Sequence, residues 1–390
     1  MTNYEKMLEE IREAGMDKKW AKMFVKKFSD DEKAFSMTAE QKKWAMERGF
    51  FPGRIELYGL TEENYRNYLP DWHYFMMHPL NHHFKIWVND KLTLKYVLNS
   101  CGCESSMPKY YLYVENDGKY TYLMDAPDYI AKDKDFVMNL LKETGILALK
   151  PNSGTSGGLG FIKLELVNGE LFENNKKINF DRFEEIVSMM RNYIVTEYVK
   201  QHDDLAKIWP DSECTLRVIM GKGVTDNNYA KPEWFCTVCY ARFGSSLSGG
   251  ASNLSSGGIG IAFDYETGKY KDFAIRYKKF CEDGNVKLKE HPDTHVEWSK
   301  ESLPNWDKVK EMLECICSHV SSLSYLGFDV IVTNDGMKIC EINTHPASDY
   351  VQVACAPILC NEKAVEFFES KGMRNFDGKD FYNIYMNCQE

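Results

Sequence analysis

The chain is 390 residues long, enough for two or three domains around a well-buried core, and 44% hydrophobic with 27% charged residues is the composition of a soluble globular protein. A net charge of −10 excludes a protein whose main task is gripping nucleic acid, because that needs an excess of lysine and arginine. The first residues, MTNYEKMLEEIREAG, lack the apolar core of a signal peptide, and no apolar run reaches membrane-spanning length, so a cytoplasmic location is expected, with the 12 cysteines as reduced thiols.

The first fifty residues predict two or three amphipathic helices. Trp20, Phe24 and Phe28 recur every four residues, and Ser36 or Thr38 ahead of Glu40 and Gln41 forms a helix start. This region is expected to be a docking arm or lid. From Gly49 to Asn89 aromatic residues crowd between polar ones without a strand, helix, strand alternation. His73, His78, His82 and His83 lie close together, but their spacing matches neither zinc pattern of C-x₂-C or H-E-x-x-H type, so packing or surface roles are expected. Asp90 caps a helix that starts at Lys91 and stops at Gly102.

Two short strands, YYLYVEN and KYTYLMD, flank a turn at Asp117-Gly118, and a helix is expected from Asp125 to Gly145. The next stretch, GILALKPNSGTSGGLGFIKLELV, places Lys150 near the end of a strand, follows it with a glycine-rich loop and begins another strand. No Gly-Lys-Ser/Thr ends that loop and no helix follows it, so it is neither a P-loop nor a dinucleotide fingerprint. It suits a flap that lays backbone N–H groups over a polyphosphate while Lys150 adds charge from below.

After a helix, FDRFEEIVSMMRN, the strand YIVTEYV ends at a polar break, and CTLRVIM carries Arg217 in its middle. An arginine inside an apolar strand should face an anion or a carboxylate. The strand EWFCTVCYARFG ends at Arg242 and precedes a glycine and serine loop. Cys236 and Cys239, three apart on a strand, should point to opposite faces and pack, as should Cys315 and Cys317 on the helix from Trp306.

The stretch FDVIVTNDGMKICEINTHP organises the rest. Asn334, Asp335 and Gly336 supply a hairpin turn, and a turn centred on Asp335 sets Asp329 opposite Glu341, with Asn343 on the same face. Two carboxylates and an amide oxygen on a rigid hairpin suit Mg²⁺ that completes its octahedron with water and nucleotide phosphates.

In this order the motifs GFFPGRIELYGL, NDKLTLKYVL, LALKPNSGTSGGLGFI, TEYVKQHDDLAKIWPDSECTLRV, ARFG…ASNLSSGG and GFDVIV…DGMKICEINTHP resemble the ATP-grasp superfamily. In detail they are similar to its sugar-transfer associated group, which includes teichuronopeptide-biosynthesis enzymes, from about residue 45 onward. The resemblance implies an α+β fold: a helical region over 1–88, a subdomain with the flap over 89–198 and a C-terminal subdomain over 199–390. ATP would lie between the subdomains, with Lys91 and Lys150 on its phosphates and the loop from Asn152 to Gly160 closing over it through Ser153, Gly154, Gly157 and Gly158. Glu197, Tyr198 and Val199 match the hinge that reads adenine, and Asp203 a ribose partner. Arg217 would sit on the transferring phosphate, Arg242, Asn253 and Gly258 would face the acceptor, and Asp329, Glu341 and Asn343 match the magnesium ligands.

Two departures stand out. Residues 1–88 show no Rossmann-like substrate domain, and Gly327 stands where some ligases place an arginine. The implied activity is ATP-dependent joining of a small carboxylate to an amine, on an amino acid, peptide or sugar-linked substrate, through an acyl phosphate, with Lys150, Arg217 and Arg242 as catalytic groups. A kinase acting on a sugar or polyol hydroxyl, with His345 or Asp349 as base, is the alternative within the fold. A nucleotide-dependent, non-catalytic partner in glycan or peptide assembly is the other.

Overall fold

The computed structural model describes residues 2–153, 159–227, 229–281 and 284–389. Three helices open the chain, Asn3–Glu13, Lys18–Ala34 and Ala39–Met46. The third begins as expected at Thr38, whose hydroxyl accepts from Gln41 N while the Gln41 side chain accepts from Thr38 N. Trp20, Phe24 and Phe28 are buried, and Phe24 meets Phe51, Trp72, Phe75 and Phe381 edge to face at 4.9–5.5 Å. Each aromatic so buried contributes roughly 2 kcal/mol. The amino-terminal region is therefore a wall of the core, clamped to the closing helix Lys379–Asn387, and not the docking arm or lid expected.

The expected α+β class holds: helices pack on two antiparallel sheets of seven strands. The first contains β1 (Tyr110–Val114), β2 (Tyr120–Tyr122), β3 (Ile146–Pro151), β4 (Ile162–Val167), β5 (Glu170–Glu173), β6 (Lys176–Ile178) and β7 (Tyr193–Glu197), in the order β2-β1-β7-β3-β4-β5-β6. Helices Phe136–Thr144 and Phe180–Met189 back it through Leu140, Leu141, Phe183 and Ile186. The first of these is shorter than expected. Apolar residues at helical spacing begin only at Phe136 and Val137, after the charged run Lys132 to Asp135, and Gly145 ends the helix at φ +74°.

The second sheet contains β8 (Thr215–Lys222), β9 (Trp234–Phe243), β10 (Ile259–Phe263), β11 (Tyr270–Ile275), β12 (Lys287–Leu288), β13 (Tyr325–Thr333) and β14 (Gly336–Asn343), in the order β12-β11-β10-β9-β8-β13-β14. Helix Trp306–His319 covers one face, and the other packs through Ile219, Phe235 and Tyr325 on Phe367 and Phe368 of helix Glu362–Ser370. One expectation about this sheet fails. The pairing of β8 with β9 shifts by one residue between Ile219↔Val238 and Met220↔Cys236, so Thr237 is an extra residue. That shift brings the Cys236 and Cys239 thiols together rather than to opposite faces, and their hydrogen bond, then burial, raise the Cys239 pKa. No helix among the described residues is long and apolar enough to cross a membrane.

Candidate active site

The β13–β14 hairpin turns through Asn334 and Asp335, with Thr333 opposite Gly336 and regular pairing down to Val330↔Ile339. Continued unbroken, that register would set Asp329 opposite Cys340. A bulge at Cys340 shifts it by one, so Asp329 faces Glu341 and Gly327 faces Asn343. The turn centre is thus half a residue from the one expected, and the bulge delivers the expected pair. Asn343 Nδ2 donates to Glu341 Oε1 at 3.2 Å.

On the neighbouring strand Arg217 lies directly across from Asp329, and its fork donates twice, Nε to Oδ1 at 2.6 Å and Nη2 to Oδ2 at 2.9 Å. From β9, Arg242 Nη2 reaches Asp329 Oδ1 at 3.0 Å, and its Nη1 donates to Asn253 Oδ1 at 3.4 Å. Burial alone would push the Asp329 carboxyl up, but Arg217 and then Arg242 outweigh it and hold the pKa down at about 2. Glu341 goes the other way: burial first, then the facing Asp329, raise its pKa against the pull of Lys91. Gly258 has no room for a side chain, since a Cβ there would lie 2.5 Å from Ser252 O. Gly327 is equally constrained, with a would-be Cβ 2.7 Å from Pro346 Cβ, which explains why no arginine occupies it.

Two lysines complete the cluster, one from the start of a helix and one from the first sheet. Lys91 opens the helix Lys91–Asn99, capped by Asp90 Oδ1 accepting from Thr93 N at 2.8 Å, and its Nζ lies 3.9 Å from Glu341 Oε2. Lys150 projects from β3 into the same region. Burial, and after it the charge of Lys91, lower its pKa against the opposing pull of Cys340, Glu341 and Glu197. The base of the flap is held by a residue that sequence reasoning passed over. Asn152, 5% exposed, donates from Nδ2 to Asp90 Oδ2 at 2.6 Å, accepts at Oδ1 from Leu92 N at 2.9 Å and accepts at its carbonyl from Lys91 N at 3.2 Å. Ser153 follows at the edge of the described chain, and Gly154, Gly157 and Gly158 lie outside the described residues.

Glu197, Tyr198 and Val199 line a cavity of about 630 Å³ together with Met337 and Lys338. Lys338 Nζ stands 3.7 Å from Glu197 and donates to the carbonyls of Ser105 and Met107 at 3.0 and 3.2 Å. The Tyr198 hydroxyl donates to Glu213. Asp203 does not join this cavity; it begins the helix Asp203–Ile208, and its N–H donates to Asn334 Oδ1 at 3.1 Å. Of the four clustered histidines, His73 and His78 are buried, with pKa values pushed down to about 4 mainly by burial, and His82 and His83 are exposed. Among the described residues no three His, Cys, Asp or Glu side chains group as a metal site; the hairpin offers two carboxylates and an amide.

Solved structures similar to the chain include N5-carboxyaminoimidazole ribonucleotide synthetase from Thermotoga maritima, 13% identical over 74% of this chain and 51% of that one, with a TM-score of 0.37. D-alanyl-alanine synthetase A from Vibrio cholerae is 12% identical over 77% and 65%, at 0.35, and D-alanine-D-alanine ligase from Helicobacter pylori is 10% identical over 73% and 61%, at 0.38. The chain spans about half the length of the ribonucleotide synthetases it matches. No curated protein matches the sequence. The family described as sugar-transfer associated ATP-grasp matches residues 77–366, which takes in both sheets and every charged group gathered around Asp329, and the chain belongs to that family.

Proposed function

We propose that the protein is an ATP-dependent ligase that joins a carboxylate to an amine through an acyl phosphate. One observation carries this reading. Arg217 and Arg242 converge on Asp329, while Lys91 stands 3.9 Å from the facing Glu341, so cations and carboxylates from the second sheet and a neighbouring helix start meet at one spot. Such a set suits phosphoryl transfer, where catalysis is mostly positioning and charge stabilisation.

In this reading Lys91 and Lys150 hold the nucleotide phosphates, the loop after Asn152 covers them, and the cavity at Glu197, Tyr198 and Val199 takes adenine. Arg242, braced by Asn253, holds the acid bidentately. A carboxylate oxygen attacks the γ-phosphorus, the bond to the bridging oxygen of ADP breaks, and Arg217 stabilises charge developing on the transferring group. The amine then attacks the acyl carbon, inorganic phosphate leaves, and the amine's surplus proton passes to solvent or phosphate.

Asp329, Glu341 and Asn343 offer hard oxygen donors of the kind magnesium takes; the Arg217 fork engages both Asp329 oxygens, so Glu341 and the Asn343 amide oxygen are the donors most open to the ion. When bound, Mg²⁺ would neutralise phosphate charge. A hydroxyl acceptor would need a base, and the groups at hand are poor ones. Although burial works the other way, Asp349 is held as the anion by Lys27 at 2.9 Å and by the charge of Arg54. Burial, Lys19 and Lys85 push His345 down to about 4. Both support an amine acceptor.

Phosphorus NMR of the protein with MgATP and fractionated amino acids, peptides and sugar conjugates tests the proposal. Substrate-dependent ADP with one equivalent of free phosphate is expected. A new phosphoester signal without free phosphate would replace the ligase with a kinase.

A further inference from the structure

Two thiols open into the cavity assigned to adenine. Cys103 Sγ lies 3.6 Å from Cys315 Sγ, bridging the segment after the Lys91 helix and the outer surface of helix Trp306–His319. Both cysteines are free; Cys103 is 1% exposed, whereas Cys315, expected to pack, is exposed. We propose that Cys103 and Cys315 form an oxidisable dithiol, a modification site for peroxides or small-molecule disulfides set into the wall of the nucleotide cavity. The part of this inference that concerns nucleotide rests on the adenine reading of that cavity.

The chemistry follows from access. Burial first, and then the Cys101 and Cys315 thiols, raise the Cys103 pKa and keep it protonated, so the exposed Cys315 meets the oxidant first. With hydrogen peroxide, Cys315 becomes a sulfenic acid and one water leaves. Cys103 sulfur then displaces the sulfenic oxygen, which departs with the Cys103 proton as a second water. Two thiols thus lose two electrons and two protons to one peroxide. The sulfurs draw in from 3.6 Å to about 2.05 Å.

That contraction reaches the cavity through a short chain of contacts. Cys103 is two residues from Ser105, whose carbonyl, with that of Met107, holds Lys338, and Lys338 faces Glu197 on the hinge. Pulling residues 103–107 toward the helix shifts the cation that sets the hinge carboxylate. Oxidation is therefore expected to weaken nucleotide binding.

The test treats the full chain with hydrogen peroxide, maps linked peptides by mass spectrometry and measures MgATP affinity by titration calorimetry before and after. A Cys103–Cys315 linkage, reversed by dithiothreitol, is expected together with at least a tenfold loss of affinity that reduction restores. In Cys315→Ser the linkage should be missing and the affinity, whatever its starting value, should no longer respond to peroxide. Oxidation of Cys315 without linkage, or zinc retained by the desalted protein on these thiols, would overturn the dithiol. Linkage with unchanged affinity would overturn its effect on nucleotide. Reduced protein that binds no ATP would sink the adenine reading alone and leave the linkage result standing.

Discussion

Arg217 and Asp329 face each other across neighbouring strands, and the guanidinium fork makes two hydrogen bonds to the carboxylate, at 2.6 and 2.9 Å, in a site where Asp329 is 5% exposed. Arg242 shares the same carboxylate. Removing the anion that the buried Arg242 and the half-buried Arg217 share is worse than removing either cation. Asp329→Ala should therefore lower unfolding stability by about 3–5 kcal/mol, the usual cost of leaving a buried charge unpaired, and abolish ATP turnover. Denaturant titration read by fluorescence checks the first part. Arg217→Lys keeps the charge but loses the fork, so it should stay folded and lose turnover by a hundredfold or more, roughly what one transition-state donor is worth. Turnover near the parent level would remove Arg217 from the reaction.

Lys150 is a lysine of the site whose pKa the fold lowers, through burial and then Lys91, and no carboxylate lies within 4 Å of its Nζ among the described residues. A polyphosphate arriving beside it must raise that pKa again. Nucleotide binding should accordingly take up a proton, increasingly so as pH rises from neutrality toward the lysine's own pKa. Calorimetry in buffers of different ionisation enthalpy measures this directly. Lys150→Arg, which stays protonated, should abolish the uptake, and an unchanged uptake would place the nucleotide elsewhere.

Much of this site was legible because its parts are local. Asp329, the Asn334-Asp335 turn and Glu341 lie within thirteen residues, so a hairpin that brings the two carboxylates near each other can be read from this stretch alone. The bulge at Cys340 was not legible, since a bulge answers to neighbouring strands; half a residue in the turn centre happened to cancel it. Asn152 was missed for a similar reason: its partner Asp90 is 62 residues away, and the motif around it reads equally well as the start of a flexible loop. The departure at Gly327 could be seen but not explained, because Pro346, which fills the space of any side chain there, packs on it only in three dimensions. Apolar spacing located the helices of the first fifty residues, but what they pack against is set by aromatic partners as distant as Phe381.

Burial keeps His73 and His78 neutral by lowering their pKa values to about 4, from about 6.5 in an unfolded chain. A depressed folded pKa stabilises the fold above the unfolded value and loses that contribution as pH falls toward the folded one. Stability should therefore drop between pH 6.5 and 4, by roughly 3 kcal/mol for each histidine at the lower end, with His73, His78 and the similarly depressed His345 each taking up a proton on unfolding. Thermal melts across that range test the slope. His78→Asn should be less stable at pH 7, because it loses the Nδ1 contact with Tyr74 O, and should show a shallower acid slope.

The hydrogen bond from Asn152 Nδ2 to Asp90 Oδ2 ties the strand of Lys150 to the helix of Lys91, so it sets the spacing of the two lysines assigned to phosphate. Asn152→Asp would set two carboxylates against each other at 2.6 Å and should raise the KM for ATP tenfold or more. Asp90→Asn with Asn152→Asp reverses the polarity of the bond. The amide introduced at position 90 would still cap Thr93 through its oxygen, and the carboxylate introduced at position 152 would still accept from Leu92 N, so both neighbouring contacts survive the exchange. The double variant should recover ATP affinity to within a few-fold of the parent. A residue that merely holds the loop in place predicts a different pattern, in which melting temperature falls and recovers while the KM for ATP stays constant throughout. Measuring both across the parent, the single variants and the double variant separates the two roles.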